Sequence, residues 1–244
     1  MWDNPRLLNM ASGALVALVL VAALCTGLLV LARSQMFPLR ELSVSGTLAH
    51  TSRDDLQRAL GGFGGNFFAA DLGALRSKLE ALPWVRRVEL RRVWPDRLEA
   101  RLEEHVALAR WGDAGLVNTF GEPFNGQLTG EAGARLPLFA GPPRTEHEVA
   151  RRYRRFADLL HPLDEAPERV VLTQRHAWQL RTSGGLQLEL GRDGAEPVEA
   201  RLARFVAGHG ATLGRLNKRA DSGLRHVDLR YPNGFVLRVP EWRG

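Results

Sequence analysis

Apolar and polar positions alternate along most of this chain, but one stretch near its start does not alternate at all. Residues 10–32 form an uncharged run of 23 residues. At the helical rise of about 1.5 Å per residue, such a run spans a bilayer core. A cleaved signal peptide is the alternative, and Val30-Leu31-Ala32 would serve as its cleavage site. The apolar core of a signal peptide, however, is only about 7–15 residues long. The length favours a retained transmembrane helix over 10–32, preceded by a short tail at 1–9.

A period of two follows the run. Leu42 and Val44 alternate with polar residues before Ser45-Gly46, which predicts a short strand and a turn. Thr51-Ser52-Arg53-Asp54-Asp55 reads as a helix start, with small polar cap candidates and acids in the first turn, and Leu56, Ala59 and Leu60 follow on one face. Gly61 to Gly65 supply four glycines around Phe63, read as a flexible loop. A second helix begins near Asp71, carries Leu72, Leu75, Leu79 and Leu82 on one stripe, and stops at Pro83. Val88 and Leu90, then Leu98, Ala100 and Leu102, alternate with Arg and Glu around Trp94-Pro95-Asp96. This is a hairpin whose outer face opposes rows of Arg and Glu, and Trp84, Trp94 and Pro95 read as structural. Residues 37–106 thus form a β-α-α-β-β unit.

Residues 107–244 are richer in strands. Leu116-Val117-Asn118, Pro137-Leu138-Phe139 and Val170-Val171-Leu172 are short strands. Thr145-Glu146-His147-Glu148 has the form of a capping box opening a helix to about Leu160, and Pro197 suits the first turn of another. Trp178 and Leu180, then Leu186, Leu188 and Leu190, alternate around Ser183-Gly184-Gly185 as a second hairpin. Residues 226–231 and 235–239 form a last strand pair around Pro232-Asn233-Gly234.

Charge and chemistry change this picture little. Net charge is +6 and only Lys78 and Lys218 are lysines. Acidic residues are mixed among the arginines, so a solvated surface explains the excess better than nucleic acid does. The lone cysteine, Cys25, lies in the apolar run, which excludes disulfides and cysteine metal sites. His147 has no second histidine four residues on, no serine stands in G-x-S-x-G, and the glycine cluster lacks the following Lys and Ser/Thr of a phosphate loop. No catalytic residue, metal site, cofactor or small-molecule substrate is expected. Charges flanking the run do not settle its orientation.

Leu82-Pro83-Trp84-Val85, Val93-Trp94-Pro95-Asp96, the stretch from Glu104 to Trp111 leading to Leu116-Val117-Asn118, and Val227-Asp228-Leu229-Arg230-Tyr231 occur in this order behind one span. In this the chain resembles the FtsQ/DivIB family of bacterial division proteins. The resemblance implies an α+β chain: one N-terminal transmembrane helix, a β-α-α-β-β POTRA domain, then a mixed α/β domain. That second domain is dominated by an antiparallel sheet with an exposed C-terminal edge strand. It further implies an inner-membrane protein with its N-terminus cytoplasmic, its two domains periplasmic, and enrichment at the septum. The implied role is a non-enzymatic divisome scaffold that binds FtsB and FtsL, touches FtsK, FtsW and FtsI, and helps control septal peptidoglycan synthesis.

The family's edge-strand contact with FtsB maps onto Arg230, Tyr231, Asn233, Gly234 and Phe235. A basic residue before the Trp178 strand also takes part, and Arg175 or His176 fills that position. Trp242 can substitute for a tryptophan whose usual place holds Val239. The tail before the span is shorter than in familiar relatives, which puts any recruitment signal there in doubt. Other readings are a POTRA-bearing periplasmic chaperone or transport-assembly module, and an anchored periplasmic hydrolase.

Overall fold

The computed structural model describes residues 5–33, 37–113, 115–128, 130–216, 226–231 and 234–238. It opens with helix α1 (Pro5–Arg33), whose stretch Asn9–Val30 is long and apolar enough to cross a membrane. Beyond it, the chain divides into two compact units at Glu104/His105.

The first unit carries β1 (Glu41–Ser45), α2 (Arg53–Leu60), α3 (Leu72–Glu80), β2 (Val85–Val93) and β3 (Arg97–Glu104). Its sheet has the order β1-β3-β2, with β1 parallel and β2 antiparallel to β3. The period-two residues Val88, Leu98, Ala100 and Leu102 meet Leu56, Leu75 and Leu79 of the helices in one core. On the other face the register sets Arg87 against Glu103, Glu89 against Arg101 and Arg91 against Glu99. Opposite charges stand directly across from each other, so this face largely neutralises itself.

Ser52 makes a full capping box on α2 with Asp55. Thr145 does not do the same for its helix. Its ψ of 5° takes it out of the extended conformation that a capping side chain needs, and its hydroxyl donates to the Pro142 carbonyl at 2.7 Å. The glycine loop is also more tightly held than its composition suggests. The Leu39 amide donates to the Gly65 carbonyl and the Phe67 amide to the Phe37 carbonyl, both at 2.8 Å. Of the tryptophans read as structural, Trp84 is buried and stacks on His50, whereas Trp94, after a cis Trp94-Pro95 bond, is 73% exposed.

The second unit is built on one nine-stranded sheet of order β12-β11-β10-β9-β8-β7-β4-β5-β6. These strands are β4 (Ala107–Trp111), β5 (Gly115–Asn118), β6 (Pro123–Phe124), β7 (Leu138–Ala140), β8 (Pro167–Leu172), β9 (Ala177–Thr182), β10 (Gln187–Arg192), β11 (His226–Asp228) and β12 (Val236–Arg238). The short α4 (Glu131–Ala134) lies between β6 and β7, and neither α4 nor β6 is announced by the sequence pattern. Antiparallel pairs predominate, but β4–β7, β7–β8 and β10–β11 run parallel. Helices α5 (Glu146–Leu160) and α6 (Val198–Leu216) supply Phe156, Leu160, Leu202 and Phe205 to a core shared with Phe139, Trp178, Leu188 and Val227. The Arg151 to Arg155 run of α5 is partly absorbed by α6: Arg152 pairs with Asp193 at 2.6 Å and with Glu199, and Arg155 lies 3.7 Å from Glu199.

Glu104 ends β3 with its carboxylate turned onto the 49–51 loop, accepting from the amides of Ala49 at 2.8 Å, Thr51 at 2.7 Å and His50. Burial opposes its ionisation, yet these donors outweigh burial and hold its pKa below the ordinary carboxylate value. A depressed carboxyl pKa contributes stability above the unfolded-state value, and that contribution disappears as pH falls through the folded-state value. Glu104→Gln should therefore destabilise the first unit at neutral pH by about 1–3 kcal/mol. In thermal melts the gap between wild type and variant should close below a pH of about 4.

Candidate partner-binding edge

Strand β11 lies parallel to β10, with Gln187, Leu188 and Glu189 opposite His226, Val227 and Asp228. A parallel pair needs a long crossover, and α6 supplies it. Strand β12 then returns antiparallel, with Val236 opposite Asp228 and Leu237 opposite Val227. It therefore ends the sheet, and its outer side pairs with no strand among the described residues. Leu237 packs on the core, while Val236 is 51% exposed on the other face.

The Val227 to Tyr231 motif is only partly strand. The ladder stops at Asp228, and one further bond, from the Leu229 amide to the Glu189 carbonyl at 2.9 Å, holds the chain before it leaves the sheet. Arg230 and Tyr231 thus stand just past the end of β11, next to β12 rather than in it. The Arg230 side chain folds back on Asp228, with Nε donating to Oδ1 at 2.9 Å and Nη2 to Oδ2 at 2.5 Å, while its backbone amide donates to Oδ1 at 3.0 Å. Glu189 lies 3.8 Å from Nε. Hydrogen bonding to Asp228 raises the Arg230 pKa above its ordinary value, and the same contact lowers that of Asp228. The guanidinium is oriented by its own strand and keeps donors free of Asp228.

The Arg230 stem needs the glycine beneath it. Gly191 has φ of +77° at the irregularity between Glu189 and Gly191 in β10, and a Cβ there would come within 2.9 Å of Arg230 Cγ. Asp228, Glu189 and Gly191 were not anticipated as site residues. Asp228 belongs to the motif itself, but nothing in the sequence ties Gly191 to a residue 39 positions away.

Tyr231 is 53% exposed just past the end of β11, where its carbonyl accepts from Arg204 of α6. Phe235, expected at the contact, is half-buried, and its ring lies edge-to-face on Phe205 with centroids 5.4 Å apart, which fastens the start of β12 to α6. Gly234 is half-buried just before it. Asn233 and Trp242 lie outside the described residues. Arg175 and His176 are exposed in the β8–β9 turn, where His176 takes φ of 55°. The register pairs Ala177 with Arg192. That turn therefore opens at the end of the sheet where β11 releases Arg230 and Tyr231, with β10 between.

Residues 37–105 match the POTRA domain of FtsQ type, and residues 109–230 match the C-terminal domain of the cell division protein FtsQ/DivIB. The chain belongs to the FtsQ/DivIB family. It is 39% identical over 245 residues to the cell division protein FtsQ of Burkholderia pseudomallei, covering 100% of this chain and 96% of that protein. With the FtsQ of Bordetella pertussis the identity is 36% over 258 residues, covering 98% and 93%. With that of Escherichia coli it is 31% over 225 residues, covering 90% and 80%. Family and helix together make this a single-pass membrane protein of the cell division machinery, with the α+β architecture expected of an FtsQ chain. Among the described residues no group of three or more His, Cys, Asp or Glu side chains could hold a metal ion.

In this chain, Gly191→Ala places a side chain in the left-handed region, which costs about 1–3 kcal/mol. It also displaces Arg230. The expected result is a lower melting temperature of the second unit together with weaker binding of any partner that uses Arg230. Melting curves and a binding isotherm on the same preparation would check both.

Proposed function

We propose that this protein is a non-enzymatic, membrane-anchored scaffold that captures the FtsB–FtsL complex by strand addition to β12. The observation that carries this reading is the unshared outer side of β12 among the described residues, with Val236 exposed on the strand and Tyr231 exposed after β11. A sheet edge offers main-chain donors and acceptors that an extended segment can pair with, and neighbouring side chains then select the partner. Tyr and Arg are the side chains most often found carrying binding energy at such contacts. Arg230, oriented by Asp228, suits a carboxylate on the incoming segment. By resemblance to the family, the contact also takes in Asn233, Gly234 and Phe235, with Arg175 or His176 and Trp242 as further members.

In this reading the chain comprises a cytoplasmic tail at 1–9, the span at 10–32, a POTRA domain at 37–106 and the β domain at 107–244. The last two are periplasmic, the span lies in the inner membrane, and the protein concentrates at the septum. FtsK, FtsW and FtsI are further partners, through which the scaffold helps control septal peptidoglycan synthesis.

Tyr231→Ala should weaken FtsB binding by at least about 2 kcal/mol, the level of a hot-spot residue, without changing the melting temperature. Arg230→Glu should add to the loss, and cells relying on the double variant should grow as filaments. Unchanged FtsB pull-down by both variants would defeat the proposal.

A further inference from the structure

Three segments converge at one end of the first unit, and it is the end at which the chain arrives from the membrane. Arg33 closes α1 and Phe37 begins the next described segment. Four residue steps of chain reach at most about 14 Å. The 37–40 segment is tied to the glycine loop by the Leu39–Gly65 and Phe67–Phe37 backbone bonds, and to the hairpin tip by the Arg40 amide, which donates to the Asp96 carbonyl at 3.0 Å. Arg92 binds loop and hairpin together, with Nε donating to the Phe67 carbonyl at 3.0 Å and Nη2 to the Ala70 carbonyl at 2.8 Å.

This end carries the large apolar side chains that the unit leaves outside its core. Trp94 is 73% exposed and Phe68 is 48% exposed, with Phe37 edge-to-face on Phe68 at 5.3 Å. Arg40 stands beside them, largely exposed, its nearest carboxylate being Asp96 at 3.9 Å. Exposed aromatic rings with a nearby arginine have the composition of a membrane–water interface contact. The amphipathic Trp94 ring settles at headgroup depth, the apolar Phe rings reach the acyl boundary beside it, and a cation pairs with phosphate. Hydrophobic burial alone would draw such residues into the core, yet Trp94 and Phe68 stand outside it.

We propose that Trp94, Phe68 and Phe37 form an interfacial foot by which the POTRA unit rests on the bilayer that α1 crosses. The short tether keeps this end within reach of the headgroups. The occupant of the apolar face is lipid, with Arg40 toward the phosphates. The foot limits the swing of the unit about its tether and gives it a preferred stance on the membrane.

The test uses the full chain, with Cys25→Ser, reconstituted in phosphatidylethanolamine–phosphatidylglycerol vesicles. A single environment-sensitive fluorophore is attached at Trp94→Cys, at Phe68→Cys, or at Arg87→Cys. Arg87 lies about 23 Å from Trp94 along the same strand. Lipids with a nitroxide on the headgroup should quench positions 94 and 68 at least about twofold more than position 87, as expected of side chains at headgroup depth. The emission at 94 and 68 should also be blue-shifted. Substituting Arg40→Glu should reduce the quenching at 94. Equal quenching at 94 and 87 would overturn the proposal, as would quenching at 94 that the Phe68 probe does not share. No other protein is present, so a foot meant for a protein partner would give the first of these negative results. The outcome does not depend on FtsB capture at β12.

Discussion

A β-strand satisfies its backbone only when both sides are paired or wet, and that constraint organises the second unit. The chain lays strands side by side until β12, where the described sheet ends with one side unshared. Helices α5 and α6 close one face of the sheet, their Phe156 and Phe205 sharing a core with Trp178, and β12, short as it is, packs against this core. Leu237 and Phe235 fasten it from the core side. The edge is thus presented by a packed scaffold rather than by a loose terminus, which lowers the ordering cost of adding a strand.

Electrostatics around that edge is local. Arg230 is held by Asp228 and approached by Glu189, and its stem crosses a glycine that admits it. An exposed ion pair of this kind adds little stability. Its consequence is geometric: one guanidinium is fixed in direction beside the exposed Tyr231. The outer face of the POTRA sheet behaves differently. There Arg and Glu oppose each other row by row, leaving little net field for a charged partner. The same residue types therefore point a charge at one place and cancel it at another.

Much of the fold was legible because the relevant interactions are periodic or local. The anchor, both POTRA helices, the hairpin around Trp94-Pro95 and the last strand pair all follow from spacing. The missed features were those in which a distant group overrides local preference. Thr145 carries the residues of a capping box, but its hydroxyl is taken by Pro142. Trp94 looks like core by type, yet it stands 73% exposed at the hairpin tip.

The sequence by itself determined the membrane span, the two-part α+β division and the family, because hydrophobic period, span length and motif order are properties of the chain read in line. Only the tertiary structure decided where the motif leaves the sheet. It also revealed that Gly191, 39 residues earlier in the chain, makes room for Arg230. Parallel pairing of β10 with β11 depends on α6 crossing over the sheet. That choice rests on long-range packing, which leaves no periodic mark in the residues it brings together.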